Sequence, residues 1–262
     1  MPTFDLLKPA PGLRVLVTGG AAGIGARIAE AFDEAGAHVY VCDVDPAAVA
    51  ALRAAHPSIG AGVANVAERE SVDRLVDDAA AALGGLDVLV NNAGIAGPTG
   101  SIEDIEPDDW DRTISTNLNS QFYVLRRAVP LLKASPAASI VAMSSVAGRL
   151  GYPFRTPYAS TKWAIAGLVK SLAIELGKDG VRVNAVLPGL VAGPRMDRVI
   201  AARAQALGIG FEEMKAAYLA KISLGRMVTE SDIAAMILFL CSPAARNITG
   251  QSISVDGNVE HL

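Results

Sequence analysis

Two reactive side chains stand near the start of an apolar stretch in this 262-residue chain. Tyr158 and Lys162 are four residues apart in "RTPYASTKWAIAGLVK" (155–170), so on a helix they lie one turn apart on the same face. There the ammonium favours the phenolate form of a tyrosine, whose free pKa is about 10. The pair indicates a phenol whose proton is more readily released. The same spacing also occurs in helices with one polar edge, so the rest of the chain must decide.

The elements that position this pair are short β-branched runs alternating with longer helical patterns. Strands are expected at 13–18, 37–42, 86–91, 139–144, 181–187 and 252–255, with a weaker candidate at 59–64. Helices fit between them, including 68–83, one opened by Pro107 and one after the capping box "TESD" (229–232). The alternation predicts an α/β fold. It is a Rossmann-type doubly wound parallel sheet of about seven strands with helices on both faces, forming one domain over 1–262. The strand-free region of about 189–228 is expected to form a substrate lid.

A glycine-rich turn links the first strand to the first helix. "VTGGAAGIGARIAEAF" places Gly19, Gly23, Ile24 and Gly25 where a tight turn exposes backbone N–H groups at a helix N-terminus. A turn of this kind can merely connect two elements. Its position between a strand and an amphipathic helix favours a dinucleotide-binding site instead.

Asp43 follows the second strand, 18 residues after Gly25. A carboxylate there is suited to the ribose 2′-hydroxyl of NAD. It would repel the 2′-phosphate of NADP by roughly 4 kcal/mol at 4 Å and an effective dielectric constant of 20. Ala21, Ala22 and Val44 supply no nearby cation, so the sequence predicts NAD. A solvated turn aspartate is the alternative interpretation.

Composition narrows the classes of partner. The formal net charge of −4 argues against nucleic acid or an anionic membrane. Three scattered histidines and two isolated cysteines match no metal-ligand spacing, so no metal site is expected. The beginning of the chain lacks the pattern of a signal peptide, which makes the cytoplasm the expected compartment.

Several motifs occur together in order: Thr18–Gly19 with Gly23–Ile24–Gly25, "NNAG" at 91–94, Ser145, and Tyr158 with Lys162. Over about 13–257 the chain therefore resembles the compact single-domain short-chain dehydrogenase/reductases. The resemblance implies a catalytic tetrad of Asn117, Ser145, Tyr158 and Lys162. Ser145 is preferred to Ser144 because it lies 13 residues before the tyrosine.

The resemblance also implies a set of cofactor contacts, and family members are commonly homotetramers. The implied contacts are Gly19, Gly23, Ile24, Gly25, Asp43, Asn65, Val66, Asn91, Ala93, Gly94, Tyr158, Lys162, Pro188, Gly189 and Val191. Asn91 is expected on the adenosine side, and the segment from Pro188 to Val191 beside the nicotinamide carboxamide. The chain departs from the pattern at Asn65, where Asp is usual, and at Gly193, where Thr is frequent.

Arginines and aromatic residues near the expected pocket suggest a polar or anionic hydroxy compound, such as a sugar or hydroxy acid. The candidate substrate residues are Arg149, Tyr152, Arg155 and Arg195, with Arg198 nearby. Surface ion pairs, subunit contacts and ordinary packing are the alternatives. The expected activity is NAD-dependent interconversion of a secondary alcohol and its ketone. A diol dehydrogenase, a 3-oxoacyl-type ketone reductase and a non-catalytic NAD-binding regulator remain as alternatives.

Overall fold

Seven parallel strands form one sheet in the computed structural model, which describes residues 3–262. The strands are β1 (Arg14–Thr18), β2 (His38–Asp43), β3 (Gly60–Val63), β4 (Val88–Asn91), β5 (Ser139–Met143), β6 (Arg182–Pro188) and β7 (Ser252–Val255). Their order across the sheet is β3-β2-β1-β4-β5-β6-β7. All seven expected strands are present, including the weaker candidate at 59–64, so the predicted fold class is confirmed.

Helices connect the strands and cover both faces of the sheet. They are α1 (Gly23–Glu34), α2 (Pro46–Ala55), α3 (Arg69–Leu83), α4 (Pro107–Ile114), α5 (Ser120–Lys133), α6 (Thr156–Leu176), α7 (Pro194–Leu207), α8 (Phe211–Leu219) and α9 (Glu230–Leu240). The predicted capping box opens α9: the Thr229 hydroxyl accepts from the Asp232 N–H, and the Thr229 N–H donates to the Asp232 carboxylate. Within residues 3–262, no helix combines the length and apolarity needed to cross a membrane.

Alternation along each strand divides the core into two layers. Leu16 on β1 and Leu89 on β4 face α3, α5 and α6, whereas Val15 and Val17 on β1 face α1, α2 and α9. The strands are thus apolar on both faces, which is the pattern that a parallel sheet covered on each side requires.

The chain reverses direction across the sheet between β1 and β4. β1 leads outward to β2 and β3, and β4 leads the other way to β5, β6 and β7. In doubly wound sheets such a switch point opens a crevice at the carboxyl ends of the strands. Thr18 and Asn91 end the two strands that border it.

The region of about 189–228, which the sequence predicts to lack strands, contains α7 and α8. These helices pack against each other around a small core of their own that includes Ile200, Ala204, Met214 and Tyr218. Val191, just after β6, forms an isolated bridge with Val228 and closes this region at its base. The two helices therefore form a small packing unit of their own beyond the carboxyl end of β6.

An ion pair joins β1 and β4 at their amino ends, away from the crevice. Arg14, at the start of β1, donates from Nε and Nη2 to the two carboxylate oxygens of Asp87 at 2.9 and 2.7 Å. The Ser135 hydroxyl also donates to Asp87, at 2.6 Å. Burial alone would raise the pKa of Asp87, but these hydrogen bonds lower it to about 2.

We expect Asp87→Asn to destabilise the protein by about 2–3 kcal/mol at pH 7, as a pKa difference of roughly two units implies. Because the folded-state pKa is depressed, the contribution is full above the unfolded pKa near 4 and disappears as pH falls toward 2. Urea unfolding of both proteins from pH 7 to pH 2.5 measures this. A difference in unfolding free energy that stays constant over that range would contradict the assignment.

Candidate active site

The glycine-rich turn is compressed against the loop that follows β4. Gly19 and Gly23 have φ angles of +60° and +56°, which side chains with a Cβ rarely adopt. A Cβ on Gly19 would lie 2.9 Å from the α-carbon of Ala93. Asn92 holds the two segments together, because its Nδ2 donates to the carbonyls of Thr18 and Gly19 at 3.0 and 2.9 Å. The turn thus presents bare backbone to the crevice at the N-terminus of α1, with Ile24 and Gly25 in its first residues.

Asp43 lies beside this turn, as the sequence predicted. Its Oδ2 accepts a hydrogen bond from the Ala21 N–H at 3.3 Å, and its Oδ1 accepts from the Asp45 N–H at 3.3 Å. The carboxylate is partly exposed at the carboxyl end of β2. It therefore remains accessible to a ribose lying across the turn.

The side chain of Asn91, at the end of β4, lies inside the core. Its side chain is 1% exposed, accepts from the Thr18 hydroxyl at 3.3 Å, and donates to the Gln121 carbonyl at 3.2 Å. The Asn91 carbonyl in turn accepts from the Gln121 side chain at 3.0 Å. Asn91 thus joins β1, β4 and α5 from inside the core, and its side chain is not available to an adenosine. Nothing in the spacing of "NNAG" distinguishes these two roles.

Four other cofactor candidates lie at the carboxyl ends of β3 and β6. The side chain of Asn65 donates to Glu68 at 2.7 Å and accepts from the Ala67 N–H at 3.1 Å, and Val66 beside it is buried. Pro188 ends β6, and a Cβ on Gly189 would lie 2.7 Å from the α-carbon of Asp256. Gly189 is therefore required by packing as well as by its position at the crevice.

A turn of π-helix between α4 and α5, Ser115–Asn119, carries Asn117 into the site. Such turns insert one extra residue per turn and are frequent at functional sites. The buried Asn117 side chain pairs with both backbone groups of Ile95: Oδ1 accepts from its N–H at 2.7 Å, and Nδ2 donates to its carbonyl at 3.0 Å. Asn117 thereby fixes the loop that follows "NNAG".

The two serines after β5 have separate surroundings. The Ser144 hydroxyl donates to the backbone carbonyl of Lys162 at 2.7 Å and is committed to helix packing. The Ser145 hydroxyl accepts from the Ala147 N–H at 3.2 Å and also favours ionisation of the Tyr158 phenol. The structure thus places Ser145, the serine preferred from the sequence, toward the tyrosine.

Tyr158 and Lys162 lie together on the first turns of α6. The Lys162 ammonium is 5.5 Å from the centre of the Tyr158 ring, is 4% exposed, and donates to the Met143 carbonyl at 2.8 Å. Burial alone would raise the pKa of Tyr158, but Lys162, Arg195, Ser145 and Arg155 outweigh it and hold this pKa below the usual value near 10. Burial lowers the pKa of Lys162 as well, against the attraction of the phenol.

Two of the four predicted substrate residues have partners elsewhere. Arg149 forms an ion pair with Asp256 at 2.7 Å, which anchors the loop after β5 to the end of β7. The Tyr152 hydroxyl lies 3.1 Å from that of Tyr218 on α8. These contacts fasten loop and helix, which is the ordinary packing weighed as an alternative from the sequence. Arg149 and Asp256 are 107 positions apart in the chain, so the sequence does not reveal their pairing.

The other two, Arg155 and Arg195, line a cavity of about 410 Å³ together with Arg198. The remaining lining residues are Gly94, Ile95, Ala96, Gly97, Thr99, Val199 and Ala202. Gly94 joins this cavity to the tetrad, since a Cβ there would lie 3.1 Å from Asn117 Oδ1 and 3.7 Å from Lys162 Nζ. Over residues 3–262 there is no group of three or more histidine, cysteine, aspartate or glutamate side chains arranged to hold a metal ion.

Comparison with known proteins agrees with this geometry. A family model described as "Enoyl-(Acyl carrier protein) reductase" matches residues 19–259. The chain is 37% identical to 2-(S)-hydroxypropyl-CoM dehydrogenase 3 of Xanthobacter autotrophicus, covering 94% of this chain and 95% of the relative. It is 35% identical to D-beta-hydroxybutyrate dehydrogenase of Cupriavidus necator, covering 94% and 97%. Among solved structures, a single-residue variant of actinorhodin polyketide ketoreductase with NADPH superposes with a TM-score of 0.90 at 29% identity, covering 96% of this chain and 98% of that one.

Proposed function

We propose, since this chain belongs to the short-chain dehydrogenase/reductase family, that it interconverts a secondary alcohol and its ketone with NAD and with Tyr158 as general acid and base. The observation that carries the proposal is the buried Lys162 ammonium beside a phenol whose pKa is lowered. A tyrosine with this environment accepts a proton at a pH where a free tyrosine would not. The bound nicotinamide cofactor would supply the hydride acceptor or donor.

Each tetrad residue has a role that follows from its contacts. Tyr158 takes the hydroxyl proton during oxidation and returns it to the carbonyl oxygen during reduction. Lys162 stabilises the phenolate, and the Ser145 hydroxyl donates to the substrate oxygen as negative charge develops there. Asn117 holds the Ile95 segment that borders the site. The family resemblance adds a Lys162 contact to the nicotinamide ribose.

The fit of a dinucleotide rests on the turn before α1 and on Asp43. The absence of side chains at Gly19 and Gly23 leaves backbone donors open at a helix N-terminus, which suits a diphosphate. Asp43 adds negative charge where NADP carries its 2′-phosphate, which supports NAD as the cofactor. The ketoreductase structure named above contains NADPH, so the preference of this chain requires a direct test.

The remaining parts of the proposal concern the surroundings of the site. Helices α7 and α8 would act as a substrate lid, since both follow β6 and α7 contributes Arg195 and Arg198 to the cavity. Exposed apolar side chains on α5 and α6, Phe122, Trp163 and Ile174, support assembly into a homotetramer. The cytoplasm is the proposed compartment, as buried free thiols at Cys42 and Cys241 suit a reducing environment.

A 3-oxoacyl-type ketone reductase is the second candidate. It is favoured by 35% identity to a 3-oxoacyl-[acyl-carrier-protein] reductase of Staphylococcus aureus, over 93% of this chain and 96% of the relative. The two candidates share the tetrad chemistry and differ in the group attached to the ketone. A substrate panel separates them if it includes both free hydroxy acids and 3-oxoacyl thioesters.

Tyr158→Phe should lower kcat/KM in both directions by about 10²–10⁴-fold, the usual contribution of a general acid or base. The measurement is NADH formation or consumption across sugars, hydroxy acids, hydroxysulfonates, simple secondary alcohols and 3-oxoacyl thioesters. Tyr40→Phe on β2 serves as the matched control and should retain activity. Full turnover by Tyr158→Phe would contradict the role of Tyr158 as general acid and base. A wild-type protein that binds NADH tightly and turns over nothing in the panel would favour a non-catalytic regulator.

Wild-type protein should prefer NAD⁺ to NADP⁺ by at least about a hundredfold in kcat/KM, because a repulsion of roughly 4 kcal/mol opposes the 2′-phosphate. Asp43→Asn removes the charge and keeps the shape, so the preference should fall to within about tenfold. Steady-state rates with both cofactors, at fixed ionic strength, measure the ratio. If Asp43→Asn leaves the ratio of kcat/KM with the two cofactors unchanged, Asp43 does not contact the ribose.

A further inference from the structure

We infer that the cavity beside the tetrad binds an oxyanion of the substrate, a carboxylate or a sulfonate, between Arg155 and Arg198. This inference rests on the proposed function and specifies the substrate class: a small hydroxy or keto compound that carries a negative charge. Three features support it, namely the burial of Arg155, the face that α7 turns toward the cavity, and the charge balance of the lining.

Arg155 is a buried cation that lacks an anionic partner. It is 3% exposed, and within residues 3–262 no carboxylate lies within ion-pair distance of its guanidinium. Its Nη2 donates to the Ala96 carbonyl at 2.6 Å, whereas its buried Nε has no hydrogen-bond partner in the described structure. Burial of a guanidinium with an unpaired N–H donor costs folding free energy unless an anion binds to it.

Aromatic rings hold this guanidinium at the edge of the tetrad. Its central carbon lies 5.3 Å from the ring centres of both Tyr152 and Tyr158. Two rings restrict the side chain to one orientation, and an orientation fixed before binding costs little when an oxyanion arrives. An anion held by Arg155 would therefore sit within a few ångströms of the general base.

The second wall of the cavity is one face of α7. Arg195, Arg198, Val199 and Ala202 follow an i, i+3, i+4, i+7 spacing and share that face. Arg195 stands in the first turn of the helix, where the helix dipole disfavours a cation. Arg198 makes no hydrogen bond, ion pair or ring contact with any other residue in the described range. Neither Arg195 nor Arg198 therefore stands at a position where it would stabilise α7.

Charge in the cavity is one-sided although the whole chain is acidic. The net charge is −4, yet the lining holds three arginines and no carboxylate. Asp197, the acidic residue of α7, is not among the lining residues. A volume of about 410 Å³ suits a small molecule. The lining thus selects a short, anionic substrate and disfavours a long acyl chain.

The test measures binding to the NADH-loaded protein and needs no turnover. Butyrate and propane-1-sulfonate are titrated by calorimetry at constant ionic strength, beside uncharged butyramide of similar size. Both anions should bind at least about tenfold more tightly than butyramide, since charge-assisted hydrogen bonds are stronger than neutral ones. The tighter of the two anions identifies the natural oxyanion as carboxylate or sulfonate.

Arg155→Gln and Arg198→Gln should each weaken the anions by about tenfold or more and leave NADH and butyramide within about threefold. Arg246→Gln is the matched control: it alters an exposed arginine that follows α9, near the amino end of β6 rather than the carboxyl end. Arg198 is exposed, so its variant tests the inference even if Arg155→Gln does not fold.

Three results would overturn the inference: equal affinity for butyramide and the anions, no detectable anion binding, or unchanged anion affinity in the Arg198 variant. A loss of NADH affinity in the variants would also overturn it, because the arginines would then serve the cofactor phosphates. Failure of the proposed catalysis is seen separately, since Tyr158→Phe should retain anion binding while losing turnover.

Discussion

A buried ammonium group governs the arrangement of this site. Lys162 is 4% exposed, and no carboxylate pairs with it within residues 3–262. A charge removed from water in this way must be balanced locally or lose its proton. The Met143 carbonyl satisfies one donor, and the nearest acidic group is the Tyr158 phenol. Ionisation of Tyr158 is therefore the event that best balances Lys162, and the proposed role of Tyr158 as general base rests on that balance.

The fold supplies the rigid parts that this balance requires. β5 delivers Met143 and the two serines, and α6 delivers the tyrosine and lysine one turn apart. The Ser144 hydroxyl ties α6 to the end of β5, and the Asn117 side chain ties the loop after β4 to the π-helical turn. Because β1 and β4 part at the switch point, the glycine turn and the tetrad open onto the same crevice. The cofactor site and the proton-transfer site are thus two ends of one feature.

Sequence predicted what depends on local pattern. Strands with both faces buried contain runs of β-branched residues, and a capping box is a four-residue pattern. The structure confirms both the strands and the capping box at Thr229. The Tyr158–Lys162 pair needed only helical spacing. Motif order added Ser145 and Asn117, and the structure brings both to the same crevice.

Pairings distant in the chain were hidden from sequence. Asn91 packs against Gln121 and Arg149 pairs with Asp256, and neither partner can be deduced from spacing. The π-helical turn at Ser115–Asn119 and the small core between α7 and α8 also depend on tertiary packing. The sequence does not distinguish arginines that could bind a substrate from arginines that pair within the protein. The structure does: Arg149 pairs with a carboxylate, whereas Arg155 and Arg198 do not.

The central claim is that the Lys162 charge makes Tyr158 the base. The most direct measurement is the pH dependence of kcat/KM for alcohol oxidation, at saturating cofactor, in wild-type protein and in Lys162→Met. For a base, kcat/KM should rise with pH and level off above the pKa of Tyr158, which lies below 10 in wild-type protein and should move upward in the variant. A profile whose midpoint is the same in both proteins would contradict the account.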